Sequence, residues 1–368
     1  MLRVKAPDLL QLSWQGMLAD YGTAIVWTPD GTRLVACSAA GEVLIYEAET
    51  GCPRFLQPAC GQSVNVLSIS PDGRFLAAAG QAGTVVIWQI EGNSPQVLKE
   101  LTYPQEWIDR LQWHPQRPEL AFGFGRYVQV WDALTQTILT TLNFADSSVL
   151  DLVWHPQGEH LTVSGNQWIK TWQCQDWEAD PLLREISAAS GSIAWSPDGL
   201  YLASGNNDRS VLVWQDGNEF PWRMQGFPGK VRRLAWSEPA SPRDTPILAS
   251  ISANGIVIWR KAADPSVGWS AQILDLHRDT VTAIAFQPGS GLLASAAEDG
   301  WVCLWNQANE LVQVLQGAPK GFSALAWNPQ GTELATAGHQ GELLVWKQVW
   351  KPQTRGQGLK GSKVKGLG

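Results

Sequence analysis

Short apolar runs recur along the whole chain, each set between clusters of Gly, Pro, Asp and Asn. Val85-Val86-Ile87-Trp88, Leu212-Val213-Trp214 and Leu343-Leu344-Val345-Trp346 are of this kind. No long stretch carries a clean 3.6-residue apolar period, so the pattern predicts strands and not helices. Within the runs apolar positions follow one another instead of alternating with polar ones. Such strands need cover on both faces of their sheet. The chain reads as all-β.

The runs are also periodic. Aligned on the last strand of each unit, Tyr46, Trp88, Trp131, Trp172, Trp214, Trp259, Trp305 and Trp346 fall 41 to 46 residues apart. An independent register on the first strand gives Trp27, Ile69, Trp113, Trp154, Trp195, Trp236, Phe286 and Trp327. Both registers count eight units, and 13 of the 21 tryptophans occupy them. Tight-turn sequences repeat between the marks: TPDG at 28–31, SPDG at 70–73, HPQG at 155–158, SPDG at 196–199 and NPQG at 328–331. Pro sets φ for the second turn position and Gly takes the positive φ that closes the turn.

The fullest unit is 276–305, LHRDTVTAIAFQPGSGLLASAAEDGWVCLW. With its GH-like start, SPDG-type turn, LASAxxDG segment and terminal Trp, it resembles the WD40-repeat family, and the resemblance extends over roughly residues 8–347. The terminal WD dipeptide survives only at Trp131–Asp132, and His277 is the only His at its expected place. The resemblance implies a β-propeller of eight four-stranded blades over 1–347, with seven blades as the alternative. Leu9 to Trp14 would supply the outer strand that closes the last blade, since closure removes exposed sheet edges. Ser237–Pro246 and Arg260–Ser270 lengthen connections and read as surface loops. Trp168 and Trp301 are expected between blades.

Charge divides the chain. Residues 347–368 hold six Lys or Arg and no acid, leaving the rest at −13 out of a total of −7. The segment 348–368, basic and rich in Gly and Lys, cannot bury enough apolar surface to fold and is read as a disordered tail. It is a candidate for weak contact with RNA or an anionic surface; the acidic propeller argues against nucleic acid as the main partner. The N-terminus shows no secretory pattern, and no run approaches the ~20 apolar residues that a membrane-spanning helix needs. Five cysteines (Cys37, Cys52, Cys60, Cys174, Cys303), odd in number and with no CxxC, point to a reducing cytoplasm.

Candidate chemistry is sparse. His277, Ser295, Asp299 and Trp305 superficially suggest a Ser-His-Asp triad, but in the family this set is a structural tetrad that satisfies buried polar groups. Unit five keeps Ser204, Asp208 and Trp214, and unit eight keeps Thr336 and Trp346. His114 and His155 precede prolines in equivalent turns and read as turn formers. There is no HExxH, paired CxxC or phosphate loop, so no cofactor, metal or catalytic residue is expected. What remains is a surface. The family's geometry gathers the loops entering the innermost strands and the turns before the third strands on one face. That places Tyr21, Trp107, Asp109, Phe124, Arg126, Lys230, Arg232 and Arg278 on a common rim. Aromatic residues and Arg are frequent interface hot spots. The expectation is a non-catalytic scaffold that binds a protein through this rim, against two alternatives: RNA or anionic-surface binding by the tail, or an enzyme at the channel mouth.

Overall fold

A computed structural model describes residues 8–349, except 93, 146, 240, 242, 243, 263, 265 and 266. The tail from 350 onward lies outside the described residues. Among those described there are 32 strands and no helix. They form eight antiparallel four-stranded sheets, seven of them in simple sequence order. We number them as blades 1–7, spanning 22–57, 64–102, 110–143, 151–185, 190–224, 233–274 and 281–316. Blade 8 combines three strands within 322–348 with an outer strand from the other end of the chain, Leu10–Met17, paired to Glu342–Gln348. The closing strand therefore runs three residues past Trp14, and the last strand reaches Gln348.

The core is divided in the same way. Eight buried apolar clusters fill the eight seams, one between each blade and the next, including the seam between blades 8 and 1. This explains the unbroken apolar runs: each sheet has a neighbour on both faces. The first-strand tryptophans add a polar staple to the seam. Trp27, Trp113, Trp154, Trp236 and Trp327 each donate the indole N–H to a carbonyl on the preceding blade, those of Ala326, Ser68, Gln112, Ala194 and Ala285, at 3.0 to 3.3 Å. Each acceptor is the residue just before that blade's own first-strand marker. Trp195 reaches Thr162 Oγ1 instead, at 3.1 Å.

The tight turns fold as their sequences require. Gly31, Gly73, Gly158, Gly199 and Gly331 all sit at φ of 68–75°, a region costly for residues with a Cβ. His114 does more than form its turn. Its Nδ1 accepts the N–H groups of Gln116 and Arg117, and its Nε2–H donates to Gly158 O of the next blade at 2.9 Å. His155 makes the same reach to Gly199 O at 3.2 Å. Of the two lengthened connections, the second is partly a strand extension: Arg260 pairs with Ser270 and Lys261 with Trp269. Trp177, out of register in the sequence, packs edge-on against Trp154.

Candidate functional site at the channel mouth

In each blade the connection into the innermost strand and the turn between its second and third strands open on one face of the ring. In blades 1, 2, 5, 7 and 8 the innermost strand begins with a register shift at Thr23, Asn65, Gly191, Thr282 and Ser323 respectively. Three of these side chains tie the mouth together. Thr23 Oγ1 donates to Val64 O, Thr282 Oγ1 to Phe322 O and Ser323 Oγ to Gly22 O, each acceptor on the next blade.

One residue further along, three before the first-strand marker, side chains line a central cavity of about 490 Å³. Four blades place Ala24, Val66, Ala283 and Ala324 on the cavity wall at this position, and blade 5 has the buried Ser192 there. Blades 3, 4 and 6 place Arg110, Asp151 and Arg233 there. Arg110 Nε pairs with Asp151 Oδ1 at 3.2 Å, and its guanidinium also donates to Asp109 O. Asp151 Oδ2 accepts the N–H of Ile193 at 2.9 Å. Burial pushes the Asp151 pKa upward, opposed first by Arg110. Arg233 is lowered from the usual guanidinium range, chiefly by loss of solvent and then by the like charge of Arg110. Asp109 accepts from Asn65 Nδ2 at 2.6 Å. The channel thus holds two carboxylates, Asp109 of the expected rim set and Asp151, which was not in it. Each is engaged by neighbouring donors.

The eight rim residues expected from sequence lie on this face but do not form one cluster. They fall on blades 1, 3, 6 and 7. On blade 3, Trp107 is 61% exposed; Phe124 stacks on Tyr103 at 4.3 Å, and the Arg126 guanidinium lies over Tyr127. On blade 1, Tyr21 packs against His339 at 4.9 Å, and burial followed by the charge of Glu298 raises its pKa. Lys230 and Arg232 are exposed on the loop into blade 6. Arg278, on the loop into blade 7, lies over Trp301 at 5.0 Å. Arg110, Asp151 and Arg233 were not among the rim residues expected from sequence, although their neighbours Asp109 and Arg232 were. The signal was one position away: a column otherwise small or apolar that turns charged three times.

The tetrad residues are brought together. Trp305 Nε1–H donates to Ser295 Oγ at 2.9 Å, Ser295 Oγ lies 2.8 Å from His277 Nε2, and His277 Nδ1 lies 3.1 Å from Asp299 Oδ2. Ser295 is fully buried and His277 nearly so, leaving no room for a substrate at the hydroxyl. In blade 6 Trp259 donates to Ser250 in the same way. In blade 8 the Thr336 hydroxyl has no partner, so the residues kept there do not form the network. Among the described residues no group of three or more His, Cys, Asp or Glu is placed to hold a metal ion, and no helix is long and apolar enough to cross a membrane.

The chain matches the family profile described as "WD domain, G-beta repeat" over residues 52–89, 185–215, 268–306 and 309–347. It is similar to Protein HIR1 of Cryptococcus neoformans, 27% identical over 162 residues, which cover 37% of this chain and 17% of that protein. It is also similar to Protein Atg16l2 of Mus musculus, 32% identical over 78 residues, covering 20% of this chain and 12% of that protein. A third relative is the protein transport protein sec13 of Emericella nidulans, 25% identical over 173 residues, covering 41% of this chain and 55% of that protein. The matched region spans little more than half of one of these relatives and less than a fifth of the other two.

Proposed function

The chain belongs to the WD40-repeat family, and from that premise we propose that it is a non-catalytic platform for protein–protein assembly whose docking face is the channel mouth. The observation that carries the reading is the contrast between the inside of the ring and this face. Five first-strand indoles, the turn residue His114 and the blade 7 tetrad are bonded to one another or to neighbouring carbonyls, whereas Trp107, Lys230 and Arg232 stand exposed on loops at the mouth. An exposed indole on blade 3 and an exposed Arg on blade 6 of the same face are side chains that interface hot spots favour. Asp109, Phe124, Arg126, Tyr21 and Arg278 would extend the contact around the ring. Five free thiols support a cytoplasmic setting.

The test is recovery of partners from a native extract by the tagged full chain and by a Trp107→Ala, Arg232→Ala double variant. The reading expects the variant to fold and to lose most of the co-purifying protein. Undiminished recovery by a folded variant would move the docking face elsewhere.

A further inference from the structure

The loop 225–232 and the first residue of the strand that follows put Lys230, Arg232 and Arg233 within four positions. None of the three makes an ion pair among the described residues, whereas Arg110 is taken by Asp151 and Arg223 by Asp208. The loop that presents them is fixed. Phe227 is buried against Trp259 at 5.8 Å. Ser252 Oγ accepts the N–H of Gly229 and donates to its carbonyl. Val231 N–H reaches Asn206 O, and Arg232 N–H reaches Ile251 O. Cations shown from a pinned backbone bind with less ordering cost than cations on a mobile loop.

Arg233 differs from the other two because it lines the central cavity. The carboxylate it faces, Asp151, already has one oxygen on Arg110 and the other on the Ile193 N–H. The remaining channel carboxylate, Asp109, is held by Asn65. On the blade 1, 7 and 8 side the wall offers Thr23, Thr282 and Ser323, whose hydroxyl hydrogens are given to neighbouring carbonyls. An exposed guanidinium on the channel wall, whose facing carboxylate is already engaged by other donors, keeps N–H groups open to an incoming carboxylate.

We propose that this lip receives an acidic peptide segment of a partner protein, with one Asp or Glu carboxylate entering the channel to pair with Arg233 while neighbouring acids meet Lys230 and Arg232. The proposal rests on the channel mouth being the docking face. A short acidic peptide is favoured over nucleic acid because the patch offers only three cations on a body of net −13. Counterion release, which drives binding to a polyphosphate, scales with the number of cations engaged.

Fluorescence anisotropy on the full chain tests it, with three labelled probes: a twelve-residue peptide alternating Glu with Gly or Ser, the same peptide with Gln for Glu, and a twelve-nucleotide uridine RNA. The Glu peptide is expected to bind, and to bind about tenfold or more weakly to Arg233→Gln and to a Lys230→Gln, Arg232→Gln double variant. Lys99→Gln, on the outer strand of blade 2, should leave its affinity within about twofold. Thermal melting verifies that each variant is folded; Arg233→Gln should be no less stable than the parent. Equal binding of the Gln peptide, no binding of the Glu peptide, an unaffected Arg233→Gln or tighter binding of the RNA would each overturn the proposal. If the Trp107→Ala, Arg232→Ala variant still loses its partners in that event, the docking face stands and only the acidic partner is wrong.

Discussion

Ser295 serves two buried neighbours at once, accepting from the Trp305 indole and meeting His277 Nε2. The equivalent position carries Ala36, Ala78, Phe122 and Val163 in blades 1–4 but Ser204, Ser250, Ser295 and Thr336 in blades 5–8. Where the hydroxyl is missing, the indole can go unpaired, as Trp131 Nε1 does. Removing a buried partner costs more than never having had one. Ser295→Ala should therefore cost about 2–4 kcal/mol in urea unfolding. Thr336→Val, which deletes a hydroxyl without a partner, should be neutral or stabilise by up to about 1 kcal/mol. Equal losses at both sites would refute the network's role. His114 makes a second residue-scale prediction. Burial, aided by the like charge of Arg117, pushes its pKa down to about 4, because Nδ1 must stay bare to accept two backbone N–H groups. Below the unfolded value of about 6.5 the unfolded chain takes up a proton that the native ring refuses, so stability is complete above that pH and drains away as pH falls toward 4. The loss by pH 5 should be about 2 kcal/mol. His114→Gln should be less stable at pH 7 and should show a shallower decline; an unchanged slope would assign the acid sensitivity to other groups.

The blade seams repeat one device whose acceptor varies little. A first-strand indole donates to the carbonyl preceding its neighbour's marker in five seams, while Ile69 and Phe286 leave two seams without a ring donor. Phe286 shows that a ring lacking the N–H is accommodated at this position. Trp327→Phe should thus keep the packing and lose only the bond to Ala285 O, lowering stability by about 1 kcal/mol in urea unfolding. No loss would mean that the ring's burial alone matters. This scale also marks what the sequence could disclose. Tryptophans at a fixed interval declare the seams, because a large ring is needed wherever two sheets meet. Their acceptors are backbone carbonyls on a different unit, and no side-chain pattern marks a carbonyl. The tetrad was legible because all four of its members are side chains. The channel charges were legible in principle but dispersed: Arg110, Asp151 and Arg233 lie more than 40 residues apart and converge only because the ring closes. The face shared by Trp107 and Arg232 followed from strand direction. Their separation onto blades 3 and 6 followed only from placing the units around a circle.

That circle is held shut by one strand. Leu10–Met17 is joined to three blades at once. It pairs along Glu342–Gln348 of blade 8. The Gln313 amide of blade 7 accepts the N–H groups of Leu9 and Leu10 and donates to Leu10 O. Trp14 stacks on Tyr46 of blade 1 at 5.5 Å and donates its indole N–H to Ala48 O at 2.8 Å. Tyr46 stands where every other unit has Trp, at the one seam that also receives a ring from the closing strand. Gln313 and Trp14 share no contact, yet both act on the same short strand. If that strand releases as a unit, loss of either clasp already concedes part of what the other secures. Gln313→Ala and Trp14→Ala should each destabilise the ring, by about 2–4 kcal/mol. The double variant should lose less than the sum by more than about 0.5 kcal/mol, the limit within which distant sites usually add. Strict additivity in urea unfolding would mean that the ring yields at its blades one by one, and that the closing strand is only one edge among eight.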